Sequence, residues 1–176
     1  MRSIMKTSIK LKAALLLAFA LFVSSLTFAQ DKKPASPHDS TSATVAGSLI
    51  KIKYGSPYVK GRKVLGELVP FDKVWRAGAD SATSITTSKA IKVEGKALPA
   101  GRYAFFVIPS ASGTWTLIFD KNPKQWGAYT YKEANDQLRV TVKGKTAPKS
   151  ESLKYTITPK GFSLKWDTFE VPVSIK

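Results

Sequence analysis

From Leu49 to the C-terminus the chain repeats apolar residues at every second position, and few patterns restrict a fold so tightly. Period two sends alternate side chains to opposite faces, so each such stretch reads as a strand with one face buried. Ile50, Ile52 and Tyr54 alternate with Lys51 and Lys53; Leu138, Val140 and Val142 repeat the pattern, as do Leu153, Tyr155 and Ile157. Phe162, Leu164 and Trp166 form another such set, and Val171, Val173 and Ile175 the last. Short strands are expected at 84–87 and 90–93, the second ended by a Glu94-Gly95-Lys96 turn. Residues 103–108 are apolar on both faces, which marks a strand at the middle of a sheet. The "SASG" turn leads from it into residues 114–120, where Trp115, Leu117 and Phe119 share one face, so the two strands are expected to form a hairpin. Residues 130–137 have room for one helical turn only. Eight or nine short strands without a long amphipathic helix predict an all-β, single-domain antiparallel β-sandwich, of jelly-roll or immunoglobulin-like topology.

The segment ahead of this pattern has a different character. Arg2, Lys6, Lys10 and Lys12 precede an apolar run over 13–22, followed by Ser24, Ser25 and Thr27-Phe28-Ala29. That order is the layout of a secretory signal peptide, with cleavage expected after Ala29 and a periplasmic or secreted destination. The run is short of the roughly 20 apolar residues a membrane span needs, so no integral segment is expected after cleavage. The chain has no Cys, which excludes lipoprotein attachment at that point and any disulfide. Residues 30–48 are rich in Pro, Ser, Thr and Ala and read as a flexible linker, leaving 49–176 as the sandwich domain. Removing the leader's four basic residues leaves 24 basic side chains against 12 acidic ones, a net charge of +12. Such basicity favours anionic neighbours. For an exported chain these are expected to be envelope polysaccharide, lipid head groups or other acidic polymers, not nucleic acid, although lysines at alternate positions also describe a solvated sheet face.

The residue inventory excludes much chemistry. The one histidine, His38, lies in the expected linker and there is no Cys, so a Ser-His-Asp triad, a Cys nucleophile, a His/Cys zinc site and a haem ligand set all lack their parts. No D-x-D-x-D run offers a calcium loop, and "KGRKVLG" lacks the P-loop spacing. Neither metal, cofactor nor catalytic residue is therefore expected. Two segments stand out as sources of a ligand site. In residues 58–87, Lys60 and Arg62 flank a glycine, and Trp75-Arg76 is followed by Asp80; Arg76 is suited to a bidentate bond with a carboxylate or phosphate. In "WGAYTY", residues 126–131, Trp126 and Tyr129 have the aromatic faces on which a sugar ring stacks. Each set also has a structural reading: a solvated turn at Lys60 to Lys63, Trp75 plugging the sandwich, Arg76 bonded to Asp80 or to loose carbonyls, and the aromatics folded under their own loop.

The ordered blocks "SPYVKGRKVLGELVPFDKVWRAGADSATSITTSKAIKVEGKALPAGRYAFFVIP", "WTLIFDKNPKQWGAY" and "LRVTVK" resemble the domain of unknown function 2911 family, over about residues 50–175. The family pattern V-W-R-x-G-A, then a polar residue that is often Asn, then A-T, is met by Val74 to Ala79 and by Ala82-Thr83, with Asp80 in place of Asn. The resemblance implies an exported, mostly β domain and carries no assigned activity.

The resulting expectation is a non-catalytic binding module. One concave end, formed by residues 58–83 and the 122–131 loop, would hold an anionic or carbohydrate envelope ligand through Arg76, Lys60 or Arg62, Trp126 and Tyr129. Two readings of other classes stand beside it. One is a glycan-acting enzyme, which requires two carboxylates facing across a cleft. The other is an assembly protein that docks through a basic sheet face.

Overall fold

A computed structural model describes residues 35–176; the expected leader and the first residues of the expected linker lie outside the described residues. Among the described residues ten strands and a single 3-10 turn make up the fold: β1 His38–Val45, β2 Ser48–Gly55, β3 Thr83–Thr87, β4 Ile91–Val93, β5 Lys96–Leu98, β6 Gly101–Pro109, β7 Thr114–Asp120, the turn Glu133–Asn135, β8 Asp136–Lys143, β9 Lys145–Thr158 and β10 Gly161–Ser174. Six of them form one antiparallel sheet in the order β1-β2-β3-β6-β7-β8. The topology, open in sequence between jelly-roll and immunoglobulin-like, is a meander in this sheet with one excursion between β3 and β6. β6 lies inside the sheet, as its apolar run requires, and forms the expected hairpin with β7.

β9 and β10 build the facing layer. Their register shifts twice around Asp167, which has a positive φ of 47°. Beyond it β10 returns beside its own start: the Ile175 amide donates to the Lys160 carbonyl at 2.9 Å, and a Cβ on Gly161 would meet the Val173 oxygen at 2.0 Å. β4 joins this layer through the Val93–Ile175 bridge. On the other side residues 56–59 run along β9, with the Leu153 amide donating to Pro57 and the Val59 amide to Glu151.

Alternation delivers the core between the layers. Ile50, Ile52, Ile85, Phe105, Leu117 and Phe119 from the six-stranded sheet meet Leu153, Phe162, Leu164 and Trp166 from the other layer, each at most 2% exposed. Fully burying each such side chain contributes roughly 1.5–3 kcal/mol, which is how a chain without disulfides holds its shape. Trp75 stacks on Trp166 with ring centroids 5.8 Å apart, so it does plug the sandwich.

One boundary requires correction. Residues 38–45, assigned from sequence to the flexible linker, form strand β1. "HDSTSAT" has no large apolar side chain, so composition gives no sign of a strand; the segment is held by its backbone ladder along the edge of β2. Ala46 and Gly47, both at positive φ, make the tight turn that returns the chain.

Candidate functional site

The segment 72–82 begins as an extension of the sheet. Asp72 donates its amide to Pro109, and Trp75 exchanges both backbone bonds with Val107 at 2.8 and 2.9 Å. The chain then leaves the sheet, and the excursion is tightly constrained. Asp72, Ala77 and Asp80 all have positive φ, at 58°, 53° and 61°. For residues other than Gly this region costs roughly 1–2 kcal/mol each, so the surroundings must enforce it. They do so at Ala77, whose carbonyl accepts the Tyr155 hydroxyl at 2.8 Å and the Thr83 hydroxyl at 2.9 Å. Burial pushes the Tyr155 phenol well above its ordinary pKa, which keeps it a neutral donor. Next to it Gly55 and Gly78 permit a close backbone crossing, since a Cβ on Gly55 would come within 2.3 Å of the Ala79 oxygen.

A second loop, 121–135, folds over the outer face of the six-stranded sheet. Beneath it Ala82, Ala104, Phe106 and Ile118 form a small apolar cluster, and Tyr131 packs edge-on against Phe106 at 5.2 Å. Asp120, fully buried at the end of β7, anchors the loop by accepting from the Asn122 amide at 2.7 Å and the Gln125 side chain at 3.0 Å. Gln125 in turn accepts from Thr130. Burial raises the Asp120 pKa, and Asp136, opposite it in register, pushes the same way. Asp136 accepts bonds from Tyr131 and Arg139. This carboxylate pair therefore faces inward on its own loop and presents no open cleft.

The two segments are stitched together. Ala82 donates to Gln125 at 2.9 Å, Gly127 to Asp80 at 2.9 Å, and Ser81 bridges Trp126. Where they meet, a notch of about 310 Å³ opens between Ser81, Arg102, Pro123, Lys124 and Trp126, with buried Gln125 at its base. Trp126 is 65% exposed, far more than an indole that merely fills a core. Arg102 is steered by a long bond, 3.4 Å, to the Ser84 hydroxyl.

Apart from Trp75, which packs against the core, the candidates named from sequence separate into three groups. Trp126 stands at the notch. Arg76, Asp80 and Tyr129 surround Gly127, where an added Cβ would lie 2.7 Å from the Tyr129 ring and 3.6 Å from the Arg76 guanidinium. Tyr129 is 83% exposed, and the buried Nε of Arg76 has no hydrogen-bond partner. Asp80 does not bond Arg76; its carboxylate lies 3.7 Å from His38, which β1 carries to this end of the sheet. Lys60 and Arg62 belong to a turn on the other layer: the Lys60 amide donates to Glu151, and Arg62 donates to the carbonyls of Val59 and Tyr58. Neither lines the notch.

Arg102 and Lys124, which do line it, were not singled out from sequence. The signal for Arg102 was present: it precedes the buried Tyr103 and so points away from the core. A larger hollow of about 570 Å³ lies near β8 and β10, but its carboxylates are engaged, Glu94 by the Ser174 amide and Glu170 by Lys145. Among the described residues no cluster of three or more His, Cys, Asp or Glu is arranged to hold a metal, and no helix is long and apolar enough to cross a membrane.

Fold and site together define a small all-β sandwich with a loop-covered outer face and a basic, aromatic notch at the margin of that cover. The chain belongs to the DUF2911 family of proteins of unknown function, whose model matches residues 36–175. No curated protein and no solved structure matches it.

Proposed function

We propose that this protein is an exported, non-catalytic binding module for an anionic or carbohydrate ligand of the bacterial envelope, received at the Trp126 notch. The observation that carries the reading is an indole two-thirds exposed beside two cations, Arg102 and Lys124, neither of which pairs with a carboxylate among the described residues. An aromatic face takes the apolar face of a sugar ring at low entropic cost, while Arg and Lys meet carboxylate or phosphate groups on it. The notch is at the small end of ligand sites, suited to one ring. Its walls are firm, because the Asp120–Gln125–Thr130 bonds and the Asp80–Gly127 contact fix the loop backbone. Arg76 and Tyr129 extend the same end of the molecule. The basic and apolar leader supports delivery outside the cytoplasm.

Retention on immobilised polygalacturonate tests this directly. Trp126→Ala is expected to weaken retention about tenfold, the effect of removing roughly 1.4 kcal/mol, with the melting temperature nearly unchanged. Undiminished retention of the variant would remove the notch from consideration.

A further inference from the structure

Beyond the notch, the outer face of β1 and β2 presents exposed side chains among the described residues, and its side-chain rows have a consistent chemistry. The cover loop shields the half formed by β6, β7 and β8. From β1 across to β6, cross-strand partners share a face, so the register defines two rows: Ser42–Lys51–Thr86–Arg102, and Ser40–Lys53–Ser84–Ala104, of which Ser84 and Ala104 are buried at the margin of the loop. The inward partners Ile50, Ile52 and Ile85 are buried in the core, which places these rows on the outside. Lys51, Lys53 and Arg102 are exposed, the rows contain no carboxylate, and none of the three forms an ion pair with a described residue. Hydroxyls from Ser40, Ser42 and Thr86 fill the space between them.

The first row runs into the notch through Arg102, which belongs to both. Adjacent strands lie about 4.8 Å apart and alternate residues of one strand about 6.6 Å apart, so the cations form a grid roughly 10 Å across, with Lys124 and Trp126 standing at its rim.

We propose that the notch and this grid are one continuous surface that binds an acidic polysaccharide chain, with one ring held at Trp126 and the following carboxylates lying across Lys53, Lys51 and Arg102. This rests on the notch reading and deepens it: the ligand is a polymer with repeated negative charge. Three features argue for that occupant. The cations have no carboxylate partner among the described residues and are spaced like a row of contacts. The face between them offers hydroxyl partners and, apart from Leu49, no large exposed apolar side chain of the kind a folded protein partner would cover. At the end away from the loop the grid ends on exposed Ser42 and Ser40 of edge strand β1, with no described residue beyond them in the sheet, so a chain can continue past it. Contacts along one chain reinforce each other because the second is made at high effective concentration.

The test compares oligogalacturonates of two and about ten residues, by calorimetry, on the wild type, Trp126→Ala and the double variant Lys51→Gln/Lys53→Gln. Both altered regions are exposed, and melting curves confirm that the variants fold. The expected result is a gain of at least tenfold from the short to the long oligomer, abolished in the lysine variant while its affinity for the short one is unchanged. The slope of log affinity against log salt is expected to fall by about one to two in that variant as its counterion release is lost. A length gain that survives the double substitution overturns the grid and leaves the notch standing. Loss of neither affinity in Trp126→Ala overturns the notch itself. Binding of wild type to phosphatidylglycerol vesicles in preference to the long oligomer overturns the polysaccharide assignment in favour of a lipid surface.

Discussion

The Ala77 carbonyl offers a sharp test of how the loop that bears Arg76 and Asp80 is held. It receives two side-chain donors, the Tyr155 hydroxyl from the facing layer at 2.8 Å and the Thr83 hydroxyl from β3 at 2.9 Å, and Ala77 is fully buried. Tyr155→Phe or Thr83→Val alone removes one of two bonds and leaves the carbonyl satisfied, so each is expected to cost about 1 kcal/mol. The double variant leaves a buried oxygen with no partner, which adds about 1–3 kcal/mol to the two lost bonds. The total is then about 3–5 kcal/mol, and the excess over additivity about 1–3 kcal/mol. That variant also loses both side-chain donors that hold the carbonyl of Ala77 at its positive φ. Urea unfolding followed by tryptophan fluorescence measures this, because the Trp75–Trp166 stack separates when the layers do. Additivity within about 0.5 kcal/mol would refute the reasoning and show that the two hydroxyls do not act on one acceptor.

Other expectations follow from single positions. Asp120→Asn should stabilise the protein at neutral pH, since burial raises the folded-state pKa of Asp120 and ionisation is then a cost. The cost is absent below the unfolded carboxylate pKa of about 3.9 and grows as pH rises through the elevated folded value, so the advantage of the Asn variant should appear only as pH is raised; an advantage greatest at low pH would contradict this. Ala46→Asn, at an exposed turn position with φ of 49°, should raise stability by up to about 1 kcal/mol in thermal melts, because Asn tolerates the left-handed region better than Ala. Gly55→Ala should lower it by at least the roughly 1–3 kcal/mol of an overpacked core, since the new methyl would lie against the Ala79 backbone.

Sequence alone resolved those parts of the fold in which side-chain burial specifies the strand. Ile50-Lys51-Ile52-Lys53-Tyr54 and the β6–β7 pair could be read because each inward residue is large and apolar. β1 escaped notice because its residues contribute almost nothing to the core; only the edge of β2 makes it a strand. The same omission hid the partner of Asp80, since His38 reaches it by way of β1. Of the candidate residues, Trp126, Tyr129 and Arg76 stand out in the sequence as conspicuous side chains on long loops. Arg102 and Lys124 do not, because which lysine or arginine of a basic chain borders an aromatic depends on how the loop folds over the sheet. Lys60 and Arg62 illustrate the converse: local clustering of charge suggested a pocket, whereas their turn packs along β9 and meets its own carbonyls and Glu151.

Quenching by acrylamide measures the central claim most directly. The chain has four tryptophans, of which Trp115 and Trp166 are buried and Trp75 is stacked on Trp166, so Trp126 dominates the accessible emission. Saturating polygalacturonate should shield that emission and shift it to the blue, and the effect should be absent in Trp126→Phe. Quenching that is unchanged at saturation with a polymer that demonstrably binds would place the ligand elsewhere and contradict the account.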